Sequence, residues 1–247
     1  MENFNFHIVT PVYNAEAWIS KCIESVKGQS HTNFKQVIVD DCSSDNTLEE
    51  AKKAIAGDDR FILLTKKSKL GTMHGHMAAM AHTYNPESIM VHLDGDDWFS
   101  SDEVLSTLNE AYQDSNVWAT YGNYETTDGT PSYCKPIPDL SKTPREYLAT
   151  NWIFSQVRSF RSFLCEGLSA EDFKASDGSF IAVADVAVFV PVLEMAGLDR
   201  VKYIDKIQMI YNRDTPNNDD KVNRSLVIAH AREVMMKKPK ELWKKER

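Results

Sequence analysis

The sequence predicts an α/β chain with a mostly parallel central sheet flanked by helices. Three observations predict it. Short apolar runs alternate with amphipathic segments across residues 5–115. The runs are nearly continuous, as in strands buried on both faces, and lack the strict alternation of half-wet strands. Their C-terminal ends gather Tyr, Asn and Asp side chains, on the edge where open α/β sheets bind ligands.

The first strand is "FHIVT", and "AEAWISKCIESVKGQ" follows with Ala17, Trp18, Cys22, Ile23 and Val26 at helical spacing. "KQVIVDD" is a second buried strand. "TLEEAKKAIAG" is a second helix, with Thr47 and Glu50 spaced as a capping box and Gly57 as terminator. "RFILLTK" and "SIMVHL" supply the third and fourth strands, on either side of a third helix, "GTMHGHMAAMAHTY". "SDEVLSTLNEAYQD" is a fourth helix capped by Ser101 or Asp102.

Beyond residue 115 the alternation ends. "VWATYGNYETTDGTPSY" reads as two strands joined at a "TDGT" turn, and "SKTPREYLATNW" and "SQVRSFRSFLCEGL" read as helices. "AVADVAVFVPVLEMAG" is an apolar helix interrupted by Pro191 and closed by Gly197. "RVKYIDKIQMIYN" resembles two short strands, and residues 222–237 form a final helix. No internal repeat or low-complexity linker divides the chain. One domain over residues 1–247 is expected, with an alternating strand–helix half (5–115), a second, irregular half (116–224), and a C-terminal helix with a basic tail (225–247).

At 247 residues and 42% hydrophobic side chains, the chain can build a sizeable core, burying about three quarters of its unfolded surface. A charged fraction of 26% excludes wholesale disorder. The net charge of -8 argues against non-specific nucleic-acid binding, which rests on neutralising phosphates. Cys22, Cys42, Cys134 and Cys165 are scattered without a C-x-x-C pair, which argues against a zinc site or a dense disulfide framework. The N-terminal "MENFNFHIVTPVYN" lacks the basic and apolar regions of a leader, and no window approaches the roughly 20 apolar residues of a membrane span. A soluble, reducing, cytoplasmic setting is the expectation. The tail "KKPKELWKKER" runs against the acidic balance, either as a solvated helix end or as a peripheral contact with an anionic membrane or partner.

The fourth strand ends in "HLDGDDWF", which crowds Asp94, Asp96 and Asp97 into four positions around Gly95. Like charges this close need a proton or a cation between them. A hard divalent ion held by one or two carboxylates plus substrate phosphates meets that need. Without such a ligand, D-x-D-D would be a helix cap beside solvated acids. An EF-hand is excluded, because its Gly and Glu positions fall on Phe99 and Leu105. A D-x-D-x-T phosphatase would carry its pair after the first strand, and neither G-x-x-x-x-G-K-[ST] nor G-x-G-x-x-G occurs.

Three elements in order, "PVYN" after strand one, "VDDCSSDNT" after strand two and D-x-D-D after strand four, resemble the family 2 glycosyltransferases of the GT-A fold. The resemblance is close over residues 5–115 and looser beyond. It implies a Rossmann-like nucleotide-diphospho-sugar transferase fold. Tyr13 would lie against the nucleotide base with the Pro11 backbone beside it, Asp41 would accept from the base imino group, and Asp40 would support that loop. Asp94 and Gly95 would approach the donor ribose, Asp96 would ligate Mg²⁺ or Mn²⁺, and Asp97 would be a second ligand or an orienting residue behind it. Many relatives place an Arg or Asn facing the diphosphate where this chain has His74 and His76.

The resemblance also implies inversion in one displacement, with a carboxylate taking the acceptor's proton. Asp185, the lone acid in a greasy segment, is the candidate, with a helix N-cap as its competing role and Asp177 as runner-up. Relatives often carry Glu before this Asp, whereas this chain has Ala184. Arg158 and Arg161, three apart on one expected helical face, would grip a phosphate or an acidic acceptor. Trp152 offers a sugar-stacking platform, and Arg213, Asn217 and Asn218 lie in a polar loop placed to act as a lid.

The function expected is metal-dependent transfer of a sugar from a nucleotide-diphosphate donor, a UDP-sugar, to a glycan or other hydroxyl acceptor. Two alternatives stand beside it. One is a non-catalytic sugar-nucleotide-binding module of the same fold. The other is a sugar nucleotidyltransferase, which normally opens with a Gly-rich, Arg-containing loop that "TPVYNAEAW" lacks.

Overall fold

A computed structural model describes residues 1–82, 84–216 and 224–244. Four parallel strands form one side of an eight-stranded sheet: β1 (Phe6–Val12), β2 (Phe34–Asp40), β3 (Phe61–Thr65) and β4 (Ile89–His92). They are joined by α1 (Ile19–Lys27), α2 (Thr47–Ile55) and α3 (Thr72–His82). The second side contains β5 (Trp98–Phe99), β6 (Ala119–Thr126), β7 (Ser159–Arg161) and β8 (Val201–Tyr211), giving the order β3-β2-β1-β4-β7-β6-β8-β5. The remaining helices are α4 (Val104–Tyr112), α5 (Pro144–Thr150), α6 (Ala184–Ala196) and α7 (Arg224–Met236).

The continuous apolar runs are continuous because both faces of the sheet are covered. Along β1 and β2, Phe6, Ile8, Phe34 and Ile38 join one buried cluster with α1, α2 and α4. Their alternating neighbours Val9, Val37 and Val39 join the other cluster, with α3 and α6. Helix α1 turns Ile19, Cys22, Ile23 and Val26 inward at the spacing the sequence shows. Helix α6 is buried nearly all round, which explains its lack of a polar stripe.

Several local expectations are corrected. Thr47 does not cap α2: Asn46 is the N-cap residue and makes no side-chain cap bond. The Thr47 hydroxyl instead donates to Asp45 and accepts from the Ala15 N–H, tying α2 to the end of β1. A complete capping box occurs at Thr143 and Glu146, with Pro144 at the first helical position of α5. The "TDGT" turn does not return as a second strand; β6 pairs instead with β7 and β8, and Pro131 lacks the N–H that a returning strand would need. "RVKYIDKIQMIYN" forms the single strand β8, whose register against β6 slips around Asn123.

"SQVRSFRSFLCEGL" is not an α-helix. Its start is a buried irregular segment, Ser159–Arg161 is β7, and Ser162–Gly167 is a 3-10 helix. Pairing of β7 with β4 on one side and β6 on the other overrides the apparent helical spacing. The two-residue β5, which pairs with β8, carries no sequence signal of its own.

The C-terminal tail leaves α7 at Met236 and packs back across α6: the Trp243 N–H donates to the Met195 carbonyl, and Lys240 reaches Asp172. Lys237 donates to the carbonyls of Glu171 and Lys174. These two lysines bind protein groups, which narrows the basic surface the tail presents. Among the described residues, no helix is long and apolar enough to cross a membrane.

Candidate active site

The C-terminal ends of β1, β2 and β4 lie side by side because the three strands are parallel neighbours, and two positions beyond them have no room for a side chain. The Gly95 N–H donates to the Pro11 carbonyl at 3.1 Å, and a Cβ on Gly95 would sit 2.6 Å from Val12 Cβ. Gly75 does the same for α3, where a Cβ would meet Pro11 Cβ at 2.9 Å. The acidic loop and the start of α3 are thereby pressed onto the end of β1.

Asp40 closes β2 and its carboxylate accepts weakly from the Ser43 N–H, at 3.3 Å. Asp41 is nearly buried and accepts three donors: Lys66 Nζ at 2.9 Å, the Leu70 N–H at 2.9 Å and the Gly71 N–H at 2.7 Å. Burial alone would raise its pKa, but the Leu70, Lys66 and Gly71 donors outweigh it and hold the carboxyl below its ordinary value. Tyr13, on the neighbouring strand end, has the Lys69 ammonium over its ring at 3.4 Å from the centroid.

The three acids after β4 divide by burial. Asp94 is partly exposed, with 36% of its side chain open, and Asp96 is half-buried. Asp97 is 1% exposed and turned inward, where its Oδ1 accepts the Asn212 N–H at 2.8 Å and its Oδ2 has no protein partner. Burial, then the charges of Asp96 and Asp94, push the Asp97 pKa well above the ordinary carboxylate value. Among the described residues, no three His, Cys, Asp or Glu side chains converge as a ready-made metal cage.

Beside Asp94 lie two neighbouring imidazoles, their planes tilted by 31°. His76, from α3, and His92, the last residue of β4, have ring centroids 4.8 Å apart and are both buried. Burial pulls His76 down to about 4; Asp185 opposes this and Arg158 and Lys66 add to it. His92 is lowered well below its ordinary value, first by burial and then by His76 and Arg158. The 3.9 Å approach of His76 Nε2 to Asp94 Oδ1 is therefore not an ion pair near neutral pH, and it is too long for a hydrogen bond. His74 is partly exposed and meets Phe180 edge-on.

Asp185 lies in the first turn of α6, with its side chain 37% exposed. Val183 is the N-cap, so Asp185 is not one. Its Oδ2 accepts Arg158 Nη2 at 2.7 Å. The carbonyl of Arg158 in turn accepts the His92 N–H at 3.0 Å, which joins the candidate base to the strand that ends in the acidic loop.

The other candidates lie apart. Arg161 is at the far end of β7, where it donates to the carbonyls of Val117 and Tyr112 and lies over the rings of Phe4 and Tyr112. The helical pairing of the two arginines is thus replaced by a strand that carries them to opposite edges of the sheet. Trp152 packs edge-on against Phe154. Asp177 accepts from Ser179 in an exposed turn. Arg213 pairs with Asp128, while Asn217 and Asn218, the rest of the expected lid, lie outside the described residues.

Sequence reasoning missed Lys66, His92 and Asn212. An imidazole inside the apolar run "SIMVHL" was a signal for His92, whereas nothing local marked Asn212 as the partner of Asp97. A cavity of about 750 Å³ lined by Arg161, Phe163, Met195 and Trp243 lies at the opposite edge, away from these groups.

Comparison with known proteins bears on the family and the fold. The family model described as glycosyl transferase family 2 matches residues 7–169. An Escherichia coli protein, UDP-Glc:alpha-D-GlcNAc-diphosphoundecaprenol beta-1,3-glucosyltransferase, is 32% identical over 125 residues, covering 51% of this chain and 47% of that one. The chain spans about half the length of the first curated relatives it matches. The S. aureus TarS structure in complex with UDP-GlcNAc superposes with a TM-score of 0.68 at 17% identity, over 96% of this chain and 68% of that one. Glucosyl-3-phosphoglycerate synthase from Mycobacterium tuberculosis, in complex with Mn²⁺, UDP-glucose and glycerol 3-phosphate, gives 0.58 at 14% identity, over 94% and 78%. The fold is the GT-A type that the resemblance implied.

Proposed function

Because the chain belongs to glycosyl transferase family 2, we propose that it moves a sugar from a UDP-sugar to an acceptor hydroxyl by one inverting displacement, with Asp185 as general base. The observation that carries this reading is the short bridge from Asp185 through Arg158 to His92 and the acidic loop. It places a partly exposed carboxylate on the same edge as the elements that would hold the donor. The preference for uridine comes from the relatives, several of which are described with UDP-sugars.

In this reading Tyr13 and Asp41 take the base and Asp40 steadies their loop. Three donors fill three of roughly four acceptor positions on the Asp41 carboxylate, leaving one for an imino N–H. Carboxylates suit a hard divalent ion, Mg²⁺ or Mn²⁺, which would take its other oxygens from the donor diphosphate. Asp96 would hold that ion from the cleft side, with Asp94 beside it facing the ribose. Asp97, anchored to Asn212, would set the loop behind them. A bound ion would supply Lewis-acid stabilisation of the leaving diphosphate. His76 is neutral near pH 7 and so brings no positive charge to that diphosphate.

Asp185 has one carboxylate oxygen engaged by Arg158, and its 37% exposure leaves the group able to receive the acceptor's proton. Asp185→Asn should keep UDP binding and lower transfer by about 10²–10⁴-fold. Transfer at the wild-type rate in that variant would place the base elsewhere. A binding module would bind nucleotide but catalyse neither donor hydrolysis nor transfer to any acceptor tried.

A further inference from the structure

Among the described residues Arg158 is the largest fully buried side chain, with only 2% of it open to solvent. A charge taken so far from water requires a reason, since arginine stays protonated and cannot escape by losing its proton. Its Nε is fixed by the Phe154 carbonyl at 3.1 Å, within its own irregular segment. Its Nη2 meets Asp185 at 2.7 Å, and its Nη1 is buried with no protein partner. Its backbone carbonyl is fixed to β4 by the His92 N–H. The guanidinium is thus anchored at Nε and its backbone at β4, and Nη2 is the nitrogen given to the carboxylate.

Resting on the reading of Asp185 as the base, we propose that Arg158 is the positioning residue that fixes the Asp185 carboxylate relative to the acidic loop. Helix α6 starts from Val183, which makes no side-chain cap bond, and Asp185 has no hydrogen bond to its own first turn. Its Oδ2 therefore takes its direction from an arginine anchored to β4, which sets the plane that Oδ1 shares. A lysine ammonium would keep the charge but not the fork geometry that Nε and Nη2 use together. An unanchored carboxylate would sample rotamers that turn away from the acceptor hydroxyl, which lowers turnover without touching donor affinity.

The test uses the full chain with UDP-sugar turnover, UDP affinity in the presence of Mn²⁺, and a double-mutant cycle over Arg158→Ala and Asp185→Asn. Arg158→Ala should lose about 100-fold in kcat, with the donor KM and UDP affinity changed less than about twofold. Arg158→Lys should recover only part of that loss, and added methylguanidinium should restore part of the activity of Arg158→Ala. In the Asp185→Asn background, removal of Arg158 should cost no further turnover, because the group it positions is already gone. Additive losses in the cycle, or kcat of Arg158→Ala within twofold of wild type, would overturn the assignment. If Arg158→Ala fails to fold, Arg158→Lys carries the cycle, and full activity in that variant overturns the fork requirement. Wild-type turnover by Asp185→Asn would instead remove the base reading itself, so the two failures are told apart.

Discussion

The two edges of the central sheet treat buried polar groups differently. At the edge where β4 begins, Ser88 bonds to Ser162 and to the Asn85 carbonyl, His31 meets the Phe4 carbonyl, and Arg161 is shared among backbone carbonyls. At the edge where β4 ends, Nδ1 of His76, both ring nitrogens of His92, Oδ2 of Asp97 and Nη1 of Arg158 are buried without a protein partner. Unmatched buried groups cost stability, and proteins keep them where function needs them. Strand β7 spans the contrast: Arg158, just before it, serves the unfinished edge, and Arg161, at its end, completes the satisfied one.

The largest effect on this contrast should come from the satisfied edge. Arg161→Ala would orphan the carbonyls of Val117 and Tyr112 and strip two ring contacts, a loss on the order of 4 kcal/mol in unfolding free energy. Denaturant melts would register it, while kcat per folded molecule should hold. A fall in kcat at unchanged stability would return Arg161 to the site.

Acid should act next, through the unfinished edge. A histidine whose native pKa is depressed contributes stability above its unfolded value, 6.5, and loses it as pH falls toward the folded value. For His76, held at about 4, the loss between those limits is about 3 kcal/mol. Unfolding measured from pH 7 to pH 4 should show a shallower decline in His76→Gln than in wild type. Equal slopes would mean that this imidazole is not buried neutral.

Asp97 sharpens the contrast in the opposite sense. Its pKa is raised in the folded state, so its ionised form weighs against folding as pH rises above the usual carboxylate range. Asp97→Asn retains an oxygen for the Asn212 N–H and should melt higher than wild type at pH 7 in metal-free buffer. A lower melting temperature would show that the carboxylate is compensated without metal.

The parallel half of the fold was legible because each of its strands announces itself locally, as an apolar run closed by polar residues. The place of Asp185 in the first turn of an apolar helix was legible for the same reason, as one acid in a greasy segment. The antiparallel strands were not. Three residues from Ser159 to Arg161 carry too little pattern, and only their neighbours β4 and β6 make them a strand. Arg158 was picked out but given the wrong companion, because a helical spacing pointed to Arg161 whereas the ion pair reaches 27 residues along the chain. The capping box "TPRE" at Thr143 has the same local signature as the one expected at Thr47, which gave way to a tertiary bond from Ala15.

The proposed transfer depends on the acidic loop and its edge accepting a nucleotide together with a divalent ion. Calorimetric titration of UDP into the wild-type chain, with Mn²⁺ and then with chelator, tests this most directly. Binding that needs the ion and disappears in Asp96→Asn is the predicted result. Equal affinity in chelator, or none under either condition, would contradict it.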